Sequence, residues 1–373
     1  MKKLTCLWNV AILIGMGVWS PPALAAEPVF KQAAPGYTYV FPRDLGSHDD
    51  FRIEWWYYTG NLEDESGKGF GYQLTFFRVG LEGAETIANP SRWKVDQVYF
   101  AHLTLTDLAG GKFYYFERVN RPALGIAGAE QDGLRVWNEN WTLQGDESSH
   151  KLRALEGGTG LDLTLVPLKP PVFHGRDGIS RKGPDARNAS HYFSYTRMRT
   201  SGTLFIRERA YTVKGTSWMD HEFSGNPLND TLAGWDWFSL KLDNSTEIML
   251  YQLRRKDGGV DPFSSGTWIP AQGPAGHLEK REFTIAPQGT WTSPETRIVY
   301  PSGWEILLPA SQTQLTITPD LDNQELAHLR SISASYWEGS VTVKGTMNGQ
   351  PVQGKGYVEL VGYGKGLRQE LPE

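Results

Sequence analysis

Short runs of aromatic and β-branched residues, each ended by a Gly-, Pro- or Asp-rich turn, recur along nearly the whole chain. That pattern limits its fold more than any other feature. The clearest run is Glu54-Trp55-Trp56-Tyr57-Tyr58-Thr59-Gly60-Asn61-Leu62. Its residue types suit a pleated, half-buried surface, and alternation sets Glu54, Trp56 and Tyr58 on one face and Trp55, Tyr57 and Thr59 on the other. A polar turn at 63–69 precedes a return strand at 70–79, which makes a hairpin. Residues 95–106, 112–119, 134–144, 152–155 and 161–167 read as further strands. A new strand begins at 191–195, and 203–209 with 211–214 form a hairpin. His102 shares a face with Val98, Phe100 and Thr104. Between these strands, 170–189 reads as a long mobile loop whose Arg176, Arg181, Lys182 and Arg187 form a solvated face. The one helical signal after the N-terminus is a turn at 323–329. Fourteen Trp, 16 Tyr, 16 Phe, 41 Gly and 22 Pro fit strands joined by turns, so the expected fold is an all-β sandwich or barrel.

The second half repeats the first. Glu54-Trp55-Trp56, Leu62-Glu63-Asp64 and Tyr72-Gln73-Leu74 with Arg78 have counterparts in Asp236-Trp237-Phe238, Leu242-Asp243-Asn244 and Tyr251-Gln252-Leu253 with Arg254. Gly215 and Asp220 match Gly354 and Glu359. The expectation is two tandem β-domains, at 40–225 and 230–366. Acids present in both copies, at 54 and 236 and at 220 and 359, suggest a shared structural task. His221 matches Leu360, and that asymmetry favours His221 as the functional residue.

Met1-Lys2-Lys3, an apolar run to Trp19 and Ala23-Leu24-Ala25-Ala26 read as a cleavable secretory signal, 1–25, cut after Ala25 or Ala26. A periplasmic or secreted protein is the expectation, with no transmembrane segment after cleavage. The only cysteine, Cys6, lies in that segment, so the mature chain has no disulfide and no thiol nucleophile. Removing Lys2 and Lys3 takes the formal charge from -5 to -7, which argues against nucleic acid as a partner.

The chemistry concentrates in Ser217-Trp218-Met219-Asp220-His221-Glu222-Phe223 and Gly234-Trp235-Asp236-Trp237-Phe238. A histidine beside carboxylates can be oriented and tuned for proton transfer, and flanking aromatics suit an apolar ligand. No G-x-S-x-G elbow and no H-E-x-x-H occurs. His174, His191 and His221 are not at metal-ligand spacing, and no metal or other cofactor is expected.

The E-W-W-Y tract, Trp218-Met219-Asp220-His221-Glu222-Phe223 and Gly234-Trp235-Asp236-Trp237 resemble the AttH / carotenoid 1,2-hydratase family, over nearly all of the chain after the signal. The resemblance implies two lipocalin-like (calycin) antiparallel β-barrel domains packed together, with an apolar cup. The hydratase branch adds water to an acyclic carotenoid, using an acid, aromatic faces and a base. Its histidine is matched by Asp220-His221. Its Tyr-x-Asp pair is matched by Tyr251 alone, since Gln252 and Leu253 follow. Phe223 stands where hydratases tend to carry tryptophan, and the chain looks closer to the AttH-type branch. The expected catalytic residues are His221, Asp220 and Tyr251. The expected ligand-binding residues are Glu54, Trp56, Tyr58, Tyr72, His102, Phe223, Trp235, Asp236 and Trp237. The first functional expectation is binding, with hydration or hydrolysis, of an apolar lipid- or isoprenoid-like small molecule. The alternatives are a non-catalytic periplasmic carrier or accessory protein of an envelope ABC transporter, and a glycan-active hydrolase.

Overall fold

A computed structural model describes residues 30–81, 95–225 and 230–364. The expected signal at 1–25 lies outside these residues, as does the end of the second expected unit at 366.

The chain folds as two tandem lipocalin-like antiparallel β-barrels packed together. Thirteen strands between Ile53–Asp64 and Arg209–Ser224 form the first sheet, and ten between Leu232–Leu242 and Gln350–Val361 form the second. Helix among the described residues is limited to single 3-10 turns such as Arg43–Leu45 and Pro309–Ser311. In each sheet the first strand pairs with the last. Ile53–Asp64 lies between Arg209–Ser224 and Gly69–Gly80, and Leu232–Leu242 lies between Gln350–Val361 and Glu247–Arg255. The first sheet nearly closes on itself. Arg118, on its edge strand Lys112–Asn120, donates to the Asn138 carbonyl at 3.0 Å, and Asn120 donates to the Asn138 side chain at 2.7 Å.

Three local expectations change. Residues 134–144 are two strands, Leu134–Asn138 and Trp141–Asp146, paired around a turn in which Glu139 takes φ 57°. The 323–329 segment is the strand Glu325–Leu329 rather than a helical turn, because it pairs with Ala334–Met347. The 170–189 segment is a strap laid along the first sheet. Val172–Phe173 and Ile179–Arg181 both pair with Ala189–Ile206.

Alternation along Ile53–Asp64 explains why that strand lacks a polar face. Trp56 and Tyr58 enter the core of the first barrel with Phe70, Tyr72 and Leu103. Tyr57 faces outward, into a third cluster shared by both sheets with Trp218, Trp237, Tyr251 and Tyr336. Both faces are therefore covered, one by its own barrel and one by its neighbour. Polar clasps join the barrels. Tyr57 donates to Glu338 at 2.7 Å, and the buried Glu247 accepts from Lys169 at 2.6 Å and from Arg197 at 2.5 Å.

Candidate active site

A cavity of about 160 Å³ lies between the two sheets, large enough for a ring-sized apolar group. The first barrel supplies one wall, with Trp55, Tyr57, Phe77, Phe100 and Tyr192. The second supplies Trp235, Trp237, Tyr251, Leu253 and Tyr336. These positions alternate with core residues along their strands, so the pleat that fills each barrel also aims the outward rings at the cavity.

Among these rings stand Asp220, Glu222, Glu359, His102 and Lys182. Asp220 accepts from the Trp218 indole at 2.6 Å and from the Ser194 hydroxyl. Burial pushes its carboxyl up to about 7, against those hydrogen bonds and the nearby Lys182 charge. Glu359, on the facing sheet, accepts from the Trp235 indole at 2.8 Å, and burial pushes it up to about 7 as well. Beside it in the sheet, Glu338 is held well above the usual carboxylate range by burial and then by Glu359. Two carboxyls that hold or release a proton near neutrality thus face one apolar space from opposite sides.

Lys182 is 8% exposed and belongs to the strap, not to a solvated face. Arg176, Arg181 and Arg187 are exposed. The Lys182 ammonium donates to Ser190 at 2.8 Å, pairs with Glu222, and lies 5.7 to 6.0 Å from the ring centres of Tyr192, Trp55 and Tyr251. Burial pulls it down to about 7, partly offset by Asp220. Its neighbour on the strap, His174, sits between the hydroxyls of Ser194 at 2.6 Å and Thr267 at 2.8 Å. Ser194 therefore links His174 to Asp220. Neither Lys182 nor His174 stood out in the sequence. The available signal was a cation and a histidine flanking Gly175 and Gly178, whose φ angles of +76° and +77° turn the strap back onto the sheet.

Of the residues expected at the site, Asp220, Tyr251, His102, Trp235 and Trp237 line the cavity. Tyr251 directs its hydroxyl to the Arg181 carbonyl at 3.2 Å and meets Ser265 at 2.8 Å and Ser180 at 3.1 Å, so it anchors the strap. His102 has the Tyr336 hydroxyl 2.8 Å from Nδ1 and the Ser331 hydroxyl 2.8 Å from Nε2, and burial pulls it down to about 4. It stands there as a neutral, fully engaged wall residue.

His221 is elsewhere. It pairs opposite Trp56, one residue out of phase with Asp220, and therefore points into the first barrel. Its Nε2 lies 2.9 Å from Glu54, which also receives Arg78 at 3.0 Å and meets His48 at 2.7 Å. Burial works against the charge on Glu54, but His48 and Arg78 hold it well below its ordinary range. His48, Glu54 and His221 set their ligating atoms within 4.8 Å of one another. Arg78 shares the same carboxylate, while the buried His221 Nδ1 and Arg78 Nη1 have no hydrogen-bond partner among the described residues. Trp56 donates to the Leu45 carbonyl at 2.9 Å, Tyr58 meets His150 at 2.9 Å, and Tyr72 meets Ser217 at 2.6 Å, all inside that barrel. Phe223 stacks on His48 with ring centres 3.6 Å apart. Asp236 is held in the second barrel by Arg254 at 2.9 Å and Tyr363 at 3.0 Å. These placements move Glu54, Trp56, Tyr58, Tyr72, His221, Phe223 and Asp236 off the cavity.

Pairing register also corrects the repeat. Leu62 opposes Gly215 and Leu242 opposes Gly354; Tyr57 opposes Asp220 and Trp237 opposes Glu359. In this frame Trp237 stands where Tyr57 does, and Asp236 stands where Trp56 does. Glu54 and Asp236 are two residues out of step and reach their arginines from different rungs. The twin acids 220 and 359 share the cavity, whereas His221 and Leu360 both face barrel cores. The twin acids there line opposing walls of a shared cavity.

A model of the AttH-like family matches residues 32–363. The chain belongs to that family. A crystal structure described as an AttH from Nitrosomonas europaea is 35% identical and covers 90% of this AttH-like chain and all of its own, with a TM-score of 0.80. Kievitone hydratase of Fusarium solani subsp. phaseoli is 26% identical over 218 residues, 57% of this chain. The match spans 60% of that relative's length, less than two thirds of it. The crystal structure of kievitone hydratase from Nectria haematococca is 17% identical with a TM-score of 0.66, covering 89% of this chain and 96% of its own. That is a likeness of fold.

Proposed function

We propose that this AttH-like protein binds an apolar small molecule between its barrels and adds or removes water at a carbon–carbon double bond. The observation that carries this is Asp220 and Glu359 facing one aromatic cavity, each pinned by a tryptophan indole and each buried enough to exchange a proton near neutral pH. General acid and base catalysis is most effective when such groups titrate near the working pH. Hydration needs one group to take a proton from water and another to deliver one to carbon, and dehydration is the reverse. The hydratase name of a sequence relative supports this reading. The N-terminal pattern at 1–26 supports export, with the periplasm or the exterior as the place of action.

Native mass spectrometry of the mature protein, then solvent extraction, identifies what co-purifies. That compound is incubated in ¹⁸O-water with wild type, Asp220→Asn and Glu359→Gln. Hydration or exchange by wild type, slowed about a hundredfold or more in both variants with binding retained, is expected. Binding without turnover in all three proteins would make the protein a carrier.

A further inference from the structure

Resting on the hydratase reading, we infer that the double bond acted on is conjugated to a carbonyl, and that Lys182 holds the carbonyl oxygen while Asp220 and Glu359 handle the protons. The ammonium is the one cation lining the cavity among the described residues. Two of its protons are engaged, by Ser190 and Glu222. The third is left for the space between Trp55, Tyr192 and Tyr251. Glu222 and Asp220 alternate with His221 on one strand, so Lys182 and Asp220 stand on the same wall. Two features argue against protonating an isolated alkene here. A carbocation beside these three rings would meet a positive charge already engaging their faces. Carboxyls raised toward neutrality by burial are also weak acids and good bases.

The same set fits enolate chemistry. A fixed N–H donor in an apolar site stabilises the oxyanion that develops as an adjacent carboxylate removes a carbon-bound proton. In the dehydration direction Asp220 takes the proton from the carbon next to the carbonyl, and the electron pair moves onto the oxygen held by Lys182. As it returns, the carbon–carbon double bond forms, the carbon–oxygen bond breaks, and Glu359 supplies the proton with which hydroxide leaves as water. Hydration runs the same steps backward, and no oxidant or other co-reactant is needed. The substrate class is an α,β-unsaturated ketone or its β-hydroxy ketone.

The test uses three probes followed by proton NMR in deuterium oxide: benzylideneacetone, its β-hydroxy ketone hydrate, and prenylbenzene as the isolated alkene. Wild type is expected to interconvert the first two, to exchange the hydrogen next to the carbonyl for deuterium, and to leave prenylbenzene unchanged. Lys182→Met should slow both ketone reactions by about a hundredfold or more, and Lys182→Arg, which keeps a charged donor, should restore them to within about tenfold. Circular dichroism checks that both variants fold; if Lys182→Met does not, probe selectivity in the wild type and in Lys182→Arg decides. Hydration of prenylbenzene with inert ketones would overturn the inference and leave the hydratase reading standing. Ketone turnover unchanged in folded Lys182→Met would also overturn it. Failure with all three probes would remove the inference and count against the hydratase reading together.

Discussion

At the scale of single residues, phase along a strand decides which side chain reaches the cavity. Asp220 and His221 are neighbours in sequence, yet one faces the cavity and the other the first barrel's core. Alternation at Glu54 to Thr59 is legible in the residues themselves, but the face that lines the cavity is not. Both faces are apolar, because the second barrel covers the one that water would otherwise reach. Asp220 also yields a pH prediction. Its folded-state pKa is raised to about 7, so the stability tied to its proton is fully present below about 4, the ordinary carboxylate value, and is lost as pH rises through about 7. Asp220→Asn removes that dependence. Its stability relative to wild type should increase between pH 4.5 and 8, by about 3 kcal/mol, measured by denaturant unfolding at both pH values. A difference that stays flat with pH would refute the raised value.

Among elements, the strap over 170–189 departs most from its sequence. Polar residues with Gly and Pro made it resemble a solvated loop. The deciding contacts are long-range: Ser180 and the Arg181 carbonyl to Tyr251, and His174 to Thr267, all across to the second barrel. No local pattern encodes such partners. The strap's turn is tight. Gly175 has φ +76°, and a Cβ there would lie 1.9 Å from the Ile179 carbonyl oxygen. Gly175→Ala is expected to cost about 2 kcal/mol and, by displacing Lys182, to weaken ligand binding. Paired urea unfolding and binding titration measure both. Gly178, with φ +77° but its nearest neighbour a Tyr39 ring carbon at 3.0 Å, should tolerate alanine better.

For the molecule as a whole, the all-β class and the tandem barrels were legible in the spacing of turns and the repeat, and the family resemblance supplied the barrel type. The site between the barrels was not legible, because it belongs to neither half of the sequence. One of the clasps between the halves is ionic. Glu247 is fully buried and answers Lys169 and Arg197, with the buried Lys241 nearby and also feeling its charge. Glu247→Ala leaves those cations uncompensated and is expected to cost about 3 to 5 kcal/mol, read as a lower urea midpoint. An unchanged midpoint would show that water already screens the cluster. The paired walls carry one more consequence. A cleft between two copies of one unit receives each of its residues twice, once from either side. Asp220 and Glu359 hold the same place in their respective sheets, so a duplicated ancestor would have begun with matched acids, free afterwards to diverge into unequal partners. Under the proposed chemistry, proton donor and proton acceptor would then be descendants of a single ancestral position.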